Sequence, residues 1–285
     1  MKWINVATFG YLGFNNAKFG RIDAHIAVCA FDRQIFLQAT RVAESRGFQV
    51  LHGIVDSLWV QRSGATGKDH EDLRDAIEKE TGFSISLEGA YKWIVFAQSH
   101  ESDLLPAANR YFGAFEDGSI KVRGIEARRH DTPRLFVKFQ MEALRAMARG
   151  DTASGVRGLM PEVRGIFEKY AADIAGRRID PADLSFAKQL SKDAGQYQSR
   201  DTVEGDSRLQ LYEEGKDLKA GQVMRYIITD YDKRAGRPRT VPLEMLDEST
   251  AYDMRRYVEL LADASDTLTL PFGYTVRKGG GLGGI

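Results

Sequence analysis

The sequence has a single cysteine, Cys29, among 285 residues. One cysteine excludes an internal disulfide and any zinc site built from several cysteines, which fits a reducing compartment. No apolar run approaches the ~20 residues that span a bilayer, and the opening MKWINVATFG lacks the cleavage pattern of a signal peptide. From these absences we expect a cytoplasmic protein.

The sequence also lacks an excess of charge of either sign. It carries 40 Lys and Arg residues and 40 Asp and Glu residues, so its formal net charge is zero. Binding to a polyanion would therefore depend on a local basic patch and not on overall charge. With 43% hydrophobic residues, the chain can bury the core of one large domain or of two smaller ones.

Several signatures of enzymatic sites are absent as well. The loop SGATGK does not have the glycine spacing of a phosphate-binding loop. The histidines show no metal-ligand spacing, and no nucleophilic triad is recognisable. The residue pattern alone therefore supports neither a P-loop enzyme, nor a histidine-bound zinc site, nor a hydrolase with a triad.

The apolar periodicity that is present predicts an α+β protein. In the first part, the sequence predicts a long helix over about residues 22–45 with Gly47 as its C-cap, an acidic amphipathic helix DHEDLRDAIEKETG, and strands SISLE, YKWIVFA, RYFGAF and SIKVRGIE. From about residue 134 the pattern becomes mostly helical, which places a domain boundary near residues 130–135.

The second part has its own set of predicted elements. Its helices are LFVKFQMEALRAMARG, VRGLMPEVRGIFEKYAADIAG, RLQLYEEG and TAYDMRRYVELLADASDTL, and its strands are LSFAKQLS and VMRYIITDYD. The end of the sequence, KGGGLGGI, is too poor in side chains to pack and is predicted to be a flexible tail.

The segment LHGIVDSLWV reads as two apolar strand arms around a tight turn that carries one acid, Asp56. A metal site would explain a carboxylate at this position. A solvated turn would explain it equally well, because Asp is common in turns. The residues alone leave both interpretations open.

The densest basic cluster of the chain begins within the last predicted strand of the first part and continues beyond it. It consists of Lys121, Arg123, Arg128, Arg129 and Arg134, with Glu126 and Asp131 among them. Because side chains alternate between the two faces of a strand, Lys121 and Arg123 are predicted to share one face. Such a face could follow a phosphate backbone without reading bases, although a charge run is often only a solvated surface.

Five separated stretches resemble motifs of the family B DNA polymerases, and they occur in the family's order. KWINVATFGYLGF resembles the fingers motif with its Lys and Tyr-Gly, FGRIDAHIAVCAFDRQIF the palm helix, and HGIVDS the Tyr-Gly-Asp-Thr-Asp-Ser motif. KVRGIEARRHDTP resembles the segment that leads into the thumb, and PFGY the C-terminal signature. HGIVDSLWV, FGRIDAH and YKWIVF are most similar to an archaeal branch of the family with degraded motifs.

The resemblance implies a partial polymerase palm, an antiparallel sheet with helices, followed by a mostly helical thumb. Residues 1–20 would be the end of the fingers, 21–133 the palm part, 134–275 the thumb and 276–285 the flexible tail. Because the matching fingers motif stands at the beginning of the sequence, we expect a second polypeptide to carry the N-terminal half of the polymerase, including the upstream palm strand.

The resemblance assigns Asp56 as the catalytic residue and metal ligand, the survivor of the family's pair of aspartates. Ile54 and Val55 stand where the family has Asp and Thr, and neither can bind Mg²⁺. Nucleotidyl transfer uses two metal ions bridged by carboxylates, so one acid does not suffice. Mg²⁺ is therefore expected only with a partner that supplies more acids. Lys2, Phe9 and Gly10 match nucleotide-binding positions, with solvation and apolar packing as the alternatives.

DNA contacts are also implied by the resemblance. Arg110 and Tyr111 match the end of a Lys-Lys-Arg-Tyr segment that grips the primer, although Ala108 and Asn109 replace its lysines. The full set of expected DNA-binding residues is Arg110, Tyr111, Lys121, Arg123, Arg128, Arg129, Lys188 and Lys192, with Tyr197 beside the last two.

These assignments lead to one functional hypothesis and two alternatives. The hypothesis is a palm and thumb portion that binds primer-template DNA in replication or repair, with catalysis impaired or absent in this chain alone. The first alternative is a DNA-directed DNA polymerase that becomes active when a second chain supplies the missing fingers and the upstream palm aspartate. The other is a truncated product that folds poorly because sheet edges and apolar surface are exposed.

Overall fold

The computed structural model describes residues 2–98, 106–193, 196, 202–233 and 237–277. The chain divides into two compact units, residues 1–90 and 91–285. The fold combines helices with small antiparallel sheets, which confirms the predicted α+β class. Within the described residues, no helix is both long and apolar enough to cross a membrane. The glycine-rich end predicted to be flexible lies almost wholly outside these residues.

The first unit consists of three helices and one hairpin. Its elements are α1 (Lys2–Leu12), α2 (Ile22–Ser45), β1 (Gln49–Ile54), β2 (Ser57–Gln61) and α3 (Gly67–Thr81). The predicted long helix is confirmed, and its end is as expected: Gly47 has a φ of +78° and its N–H donates to the Glu44 carbonyl.

A small core holds the C-terminal half of α2 against the hairpin and α3. Its buried members are Ala43, Phe48, Leu73 and Ile77. Helix α3 begins with a capping box in which Thr66 and Asp69 exchange hydrogen bonds, and it ends at Gly82, whose φ is +74°. The acidic start and glycine stop predicted for this helix are thus confirmed.

The predicted strand SISLE is wrong, because no strand occurs among residues 82–90. Glu78 explains the difference. Its carboxylate accepts hydrogen bonds from the Ile85 N–H at 2.6 Å and from the Ser84 hydroxyl at 3.2 Å. The segment is therefore hydrogen-bonded to α3, and the Ile85 N–H is not available to pair with a neighbouring strand.

The second unit contains two three-stranded antiparallel sheets and five helices among its described residues. The first sheet is β3 (Tyr91–Gln98), β4 (Pro106–Phe115) and β5 (Ile120–Arg123); the helices are α4 (Arg134–Met147), α5 (Ala153–Gly158), α6 (Met160–Ala175), α7 (Val203–Glu213) and α8 (Met254–Thr269); the second sheet is β6 (Phe186–Gln189), β7 (Val223–Ile228) and β8 (Thr240–Pro242).

Two details of this unit differ from the sequence prediction. The helix predicted over VRGLMPEVRGIFEKYAADIAG is two helices that meet at Leu159, and Pro161 lies in the first turn of the second one, where its missing N–H is harmless. The short strand β8 was not predicted. It adds a third strand to β6 and β7 in the mostly helical half.

The first sheet packs on α4, α6 and α8 in one core. Trp93 and Phe112 from the sheet pack with Leu144, Val163 and Leu268 from the helices within this core.

The boundary between the two compact units lies between residues 90 and 91. The predicted fingers, palm and thumb parts divide at other positions. Those parts are functional regions of a polymerase, and their assignment stays a prediction.

The second sheet packs on α8 through a fully buried tyrosine, Tyr257. Its hydroxyl accepts a hydrogen bond from the Ile228 N–H at 2.9 Å and donates one to the Leu184 carbonyl at 2.9 Å. Burial raises the pKa of this hydroxyl. Tyr257 therefore fixes β7 and the turn before β6 to the last long helix.

Candidate functional site

The hairpin predicted around Asp56 is present. Strands β1 and β2 pair antiparallel with Ile54 opposite Ser57, so that Val55 and Asp56 form the turn. The Asp56 carboxylate is exposed, and the Ser57 hydroxyl donates to its Oδ1 at 3.3 Å. The geometry leaves this acid available to a ligand, and it is equally compatible with a solvated turn.

The turn carries backbone strain beside the acid. Val55 has a φ of +51°, a left-handed conformation that β-branched residues rarely adopt. Its side chain is 73% exposed, so the conformation is not explained by burial of the valine. The turn residue that precedes Asp56 is therefore poorly suited to its conformation.

Replacing Val55 by asparagine is expected to raise the free energy of unfolding by about 0.5–1 kcal/mol, because asparagine tolerates the left-handed region better. Urea denaturation measures the change. The control is Val223→Asn on strand β7, where the valine is also exposed and its φ is negative. Equal effects at the two positions would contradict strain at Val55.

A cleft of about 540 Å³ lies in the first unit between α1, α2 and the hairpin. It brings together Phe9, a predicted nucleotide-binding residue, and Val55, the neighbour of the predicted catalytic Asp56. The complete lining is Phe9, Val28, Cys29, Asp32, Arg33, Phe36, Gly53, Ile54 and Val55. The walls are mainly apolar, with one acid and one base from α2.

Asp32 and Arg33 were not among the predicted site residues. The signal for them is helical spacing: positions 28, 32 and 36, and likewise 29 and 33, lie three or four residues apart on one face of α2. The other predicted nucleotide-binding residues are less informative. Gly10 lies on α1 with open space around it, and Lys2 is the first residue of that helix, with its side chain outside the described part.

Phe9 is held in place by His25 of α2. The two rings are stacked with centroids 4.3 Å apart, and His25 Nδ1 lies 3.2 Å from the Phe9 carbonyl oxygen. On the other side of the cleft, Gly53 leaves room for the ring of Phe36, because a Cβ at this glycine would lie 2.2 Å from Phe36 Cζ. The cleft therefore has defined walls on both α1 and the hairpin.

Asp56 is not part of a metal-binding cluster in the described ranges. No group of three or more His, Cys, Asp or Glu side chains in them is arranged to hold a metal ion. Val55 and Ile54, which precede Asp56 in the turn and at the end of β1, offer no side-chain oxygen ligands. The residues present at the hairpin do not fit a two-metal site by themselves.

In the second unit, the first sheet has a basic face, which carries Lys121 and Arg123; Tyr111 lies on the same face, but its side chain is buried. Strands β4 and β5 pair Tyr111 with Arg123 and Gly113 with Lys121, while Ile120 and Val122 face the core. The prediction that the two cations share one face is therefore confirmed. Arg123 is exposed and makes no ion pair with any residue that the structure describes.

Arg110 lies one residue before Tyr111, and its side chain points to the opposite face of β4. Its Nη2 lies 3.6 Å from Glu126 Oε1, and both side chains are largely shielded from solvent. Arg110 is therefore engaged by an acid of the short 3₁₀ helix at Glu126–Arg128, and the sheet does not present it with Lys121 and Arg123.

The remaining predicted DNA-binding cations differ in how far they are neutralised. Arg128 is exposed, whereas Arg129 donates two hydrogen bonds to Asp131, at 2.9 and 2.6 Å. These hydrogen bonds hold the pKa of the Asp131 carboxyl below its ordinary value and raise that of Arg129. Lys188 on β6 pairs with Glu204 at 2.8 Å.

Lys192 and Tyr197 follow strand β6. Lys192 is exposed, and Tyr197 lies outside the described residues. The arrangement of predicted DNA-binding residues is therefore mixed: Arg123 and Arg128 project into solvent, and three others are engaged by carboxylates.

A buried amide supports Glu126. Gln140 on α4 is fully buried; its Oε1 accepts from the Ala127 N–H at 2.7 Å, and its Nε2 donates to Glu126 Oε2 at 2.7 Å and to the Ala264 carbonyl at 2.8 Å. This one side chain joins the 3₁₀ helix to α4 and α8. It thereby fixes the acid that engages Arg110.

Replacing Gln140 by leucine is expected to lower the free energy of unfolding by about 2 kcal/mol, because buried donors and acceptors lose their partner. Thermal and urea unfolding measure the effect. Gln34→Leu on the exposed side of α2 is the matched control and should change stability by less than about 0.5 kcal/mol. A Gln140→Leu variant as stable as the control would contradict the role of the buried amide.

Comparison with known proteins places these features in one family. The sequence profile of the family described as "DNA polymerase family B" matches residues 1–268. The chain is 34% identical to DNA polymerase 2 of Saccharolobus solfataricus over 170 residues, which are 60% of this chain and 25% of that protein. It is 27% identical to DNA polymerase 2 of Aeropyrum pernix over 286 residues, 99% of this chain and 33% of the relative.

A further relative and a solved structure agree with this result. The DNA polymerase of Archaeoglobus fulgidus is 25% identical over 255 residues, 90% of this chain and 30% of its own length. The fold resembles the family B DNA polymerase from Pyrobaculum calidifontis with a TM-score of 0.62 and 24% identity, covering 93% of this chain and 32% of that one.

These relatives are archaeal, and the chain spans about a quarter to a third of their length. The sequence motifs, the mixed fold and a family match over most of the residues lead to the same conclusion. The chain belongs to the family B DNA polymerases.

Proposed function

We propose that this chain binds primer-template DNA in replication or repair, as the end of the fingers (residues 1–20), part of the palm (21–133) and the thumb (134–275) of a family B polymerase. Catalysis is impaired or absent in this chain alone. The observation that carries the proposal is the basic face of the first sheet, where Lys121 and Arg123 lie beside Tyr111 on a scaffold of this family.

The geometry of the basic face favours contacts to phosphates. Residues i and i+2 of an extended strand lie about 6.7 Å apart on the same face, so Lys121 and Arg123 form a row of cations that can contact the regularly spaced phosphates of one nucleic-acid strand. Cations on such a strand follow the backbone and read no base edges. Binding is therefore indifferent to base sequence.

The predicted DNA-binding cations differ in whether they already form an ion pair with a carboxylate, and this difference determines how much each one can contribute to DNA binding. Arg123 and Arg128 project into solvent, so DNA phosphates meet no competing acid there. Arg110, Arg129 and Lys188 are engaged by Glu126, Asp131 and Glu204. These three must exchange a carboxylate for a phosphate, and their net contribution is smaller.

Binding to two primer-template duplexes of unrelated sequence tests the proposal. Fluorescence anisotropy should give equal dissociation constants for both, and an RNA duplex serves as the comparison for DNA preference. Strong preference for one DNA sequence, or no binding to either, would overturn the proposal.

Impaired catalysis is supported by the hairpin. Family B DNA polymerases use divalent metal ions, and a two-metal site needs bridging carboxylates. At the hairpin, Asp56 has Val55 and Ile54 where further ligands would be needed. We propose that these substitutions reflect a branch with degraded motifs, and that Mg²⁺ is used only when other acids are supplied.

The second candidate function is polymerase activity with a partner. The exposure of Asp56, next to a cleft that contains Phe9, favours it, because the carboxylate is accessible beside a space that could hold a nucleotide. In this case Asp56 supplies one metal-binding carboxylate, and Phe9 and Gly10 lie against the nascent base pair. The partner is a second polypeptide that carries the remaining segments of the polymerase, and both act in the cytoplasm.

Primer extension separates the two candidates. The chain together with its partner is compared with an Asp56→Asn variant and with Asp75→Asn, a control for another exposed acid of the first unit. Extension that depends on Asp56 alone supports the polymerase. Equal extension by all three proteins would exclude Asp56 from catalysis and leave the DNA-binding function.

A further inference from the structure

The cleft of the first unit is lined mainly by side chains without charge. Phe9 and Phe36 contribute aromatic rings, and Val28, Ile54 and Val55 contribute aliphatic groups. Its volume of about 540 Å³ is that of a small-molecule site, and such sites are typically apolar with a few polar groups. The cleft therefore has the size and the walls of a site for a small molecule with large apolar faces.

The aromatic walls of the cleft are held by neighbouring residues. The ring of Phe9 is stacked on His25, with the centroids 4.3 Å apart. The ring of Phe36 lies over Gly53, where a Cβ would leave it no room. Val28 is 43% exposed, so the space between these walls is open to solvent. Rings that are already fixed lose little freedom when a flat molecule packs against them.

The polar groups of the cleft are one acid and one base on α2. Asp32 and Arg33 are both exposed. In the part of the chain that the structure describes, neither side chain forms an ion pair or a hydrogen bond. As consecutive helical residues they point in directions about 100° apart around the helix axis, so they do not neutralise each other. One hydrogen-bond acceptor and one donor group are thus available to a ligand.

The charges at the cleft do not fit a nucleoside triphosphate. Such a ligand carries several negative charges, which nucleotide-transferring sites balance with Mg²⁺ and cationic side chains. Here Arg33 is opposed by Asp32 and by the exposed Asp56, which follows Val55 in the turn. The described ranges also offer no group of three or more side chains arranged to hold a metal ion. A triphosphate would therefore meet more repulsion than attraction.

An uncharged nucleobase fits the same groups well. Its ring faces stack on aromatic side chains whatever the base, and its edge carries both hydrogen-bond donors and acceptors. The carboxylate of Asp32 only accepts hydrogen bonds, and the guanidinium of Arg33 only donates them. The two side chains together can pair with both kinds of group on a base edge, as in pockets that receive a base taken out of its stack.

We infer that the cleft binds an uncharged nucleobase without a metal ion, and that it favours a nucleoside, or an unpaired nucleotide of a DNA strand, over a nucleoside triphosphate. Phe9 and Phe36 contact the ring faces, and Asp32 and Arg33 pair with the edge. The inference goes beyond the proposed DNA-binding function, which depends on the basic face of the second unit. It also differs from the polymerase candidate, in which metal-bound carboxylates serve the cleft.

The fluorescence of 2-aminopurine deoxyriboside, which is quenched when the base stacks, tests the inference on the full chain. The dissociation constant should be on the order of 0.1–1 mM, and it should be the same with Mg²⁺ and with EDTA. The 5′-triphosphate of the same base should bind at least about tenfold more weakly, because its charge is repelled by the carboxylates. Mg²⁺ should not reverse this order.

Substitutions on α2 locate the binding site. Val28→Trp fills the cleft and should weaken nucleoside binding at least about tenfold, since the base loses its stacking surface. Ile26→Trp is the matched control, because Ile26 is 59% exposed on the same helix but lies outside the cleft lining. Asp32→Asn and Arg33→Gln should each weaken binding about fivefold, whereas Asp23→Asn, at another exposed acid of α2, should not. Circular dichroism verifies that each variant folds.

A second arm of the experiment distinguishes the two sources of the base. It places 2-aminopurine as an unpaired nucleotide at the junction of a primer-template duplex. Quenching that Val28→Trp abolishes and Ile26→Trp retains would support the inference in either arm, and the arm in which it occurs identifies the source. Quenching in neither arm, equal quenching in both variants, or tighter binding of the triphosphate with Mg²⁺ than of the nucleoside would overturn it.

Two further comparisons separate this inference from the proposed function. Lys121→Gln/Arg123→Gln should bind the nucleoside normally, because the basic face lies in the other unit. Val28→Trp should keep the duplex affinity of the unmodified chain. Duplex binding without nucleobase binding would overturn the inference alone, and nucleobase binding without duplex binding would overturn the proposed function alone.

Discussion

Replacing Gly124 by alanine should lower the free energy of unfolding by about 3 kcal/mol, since a left-handed backbone and a steric overlap act together. Gly124 follows strand β5 with a φ of +67°, and a Cβ there would lie 2.0 Å from the carbonyl oxygen of Asn109 and 3.0 Å from its carbon. The obstructing atoms belong to the backbone of β4. They cannot move without disturbing the sheet that carries Tyr111 and Arg123.

The matched control is Gly118→Ala in the turn between β4 and β5. Gly118 also has a positive φ, +84°, but a Cβ there would meet no atom within 4 Å. Alanine should therefore cost only about 1–2 kcal/mol at this position. Urea denaturation of both variants measures the difference, and a Gly124→Ala variant as stable as Gly118→Ala would show that the close approach of β4 is not present.

Neutralising the basic face should weaken DNA binding about tenfold or more at low salt, because two phosphate contacts are lost. The variant is Lys121→Gln/Arg123→Gln. The slope of log affinity against log salt should become shallower by about 0.9 for each contact, or nearly two in total. The loss should be the same for every DNA sequence, since no base contact is removed.

Lys169→Gln/Arg255→Gln is the charge-matched control, because it removes two exposed cations from α6 and α8. It should leave the slope almost unchanged. If both double variants lose the same affinity, the effect is one of overall charge and the basic face has no special role. If neither loses affinity, DNA binds elsewhere.

The sequence predicted elements best where local signals agree. The hairpin around Asp56, the long helix before Gly47 and the acidic helix that ends at Gly82 each combine periodicity with capping or turn residues. The strand SISLE fails because Glu78, a residue of the preceding helix, captures the Ile85 N–H. A strand propensity cannot reveal such a side chain to backbone contact.

The candidate site was predictable where its geometry follows from a local sequence pattern. Strand alternation placed Lys121 and Arg123 on one face, because the period of a strand is independent of its partners. The engagement of Arg110 by Glu126 depends on Gln140, which comes from a helix that begins after both of them in the chain. Contacts of this kind follow from tertiary packing and are invisible to periodicity.

The cleft illustrates the same limit. Phe9 and the hairpin were predicted as parts of one site through resemblance, but the contribution of Asp32 and Arg33 required knowledge of which face of α2 turns toward the hairpin. That orientation is set by Ala43 and Phe48 in the small core at the other end of the helix. The spacing of residues along α2 identifies which side chains share a face of the helix, but it does not show which element that face contacts.

Titration of a labelled primer-template duplex with the unmodified chain over a range of salt concentrations tests the central claim most directly. The account predicts that log affinity falls linearly with log salt with a slope of about −3.6 to −5.4, which corresponds to about four to six phosphate contacts. Affinity that does not change with salt, or no binding at the lowest salt concentration, would contradict the claim that this chain binds DNA through contacts to its phosphates.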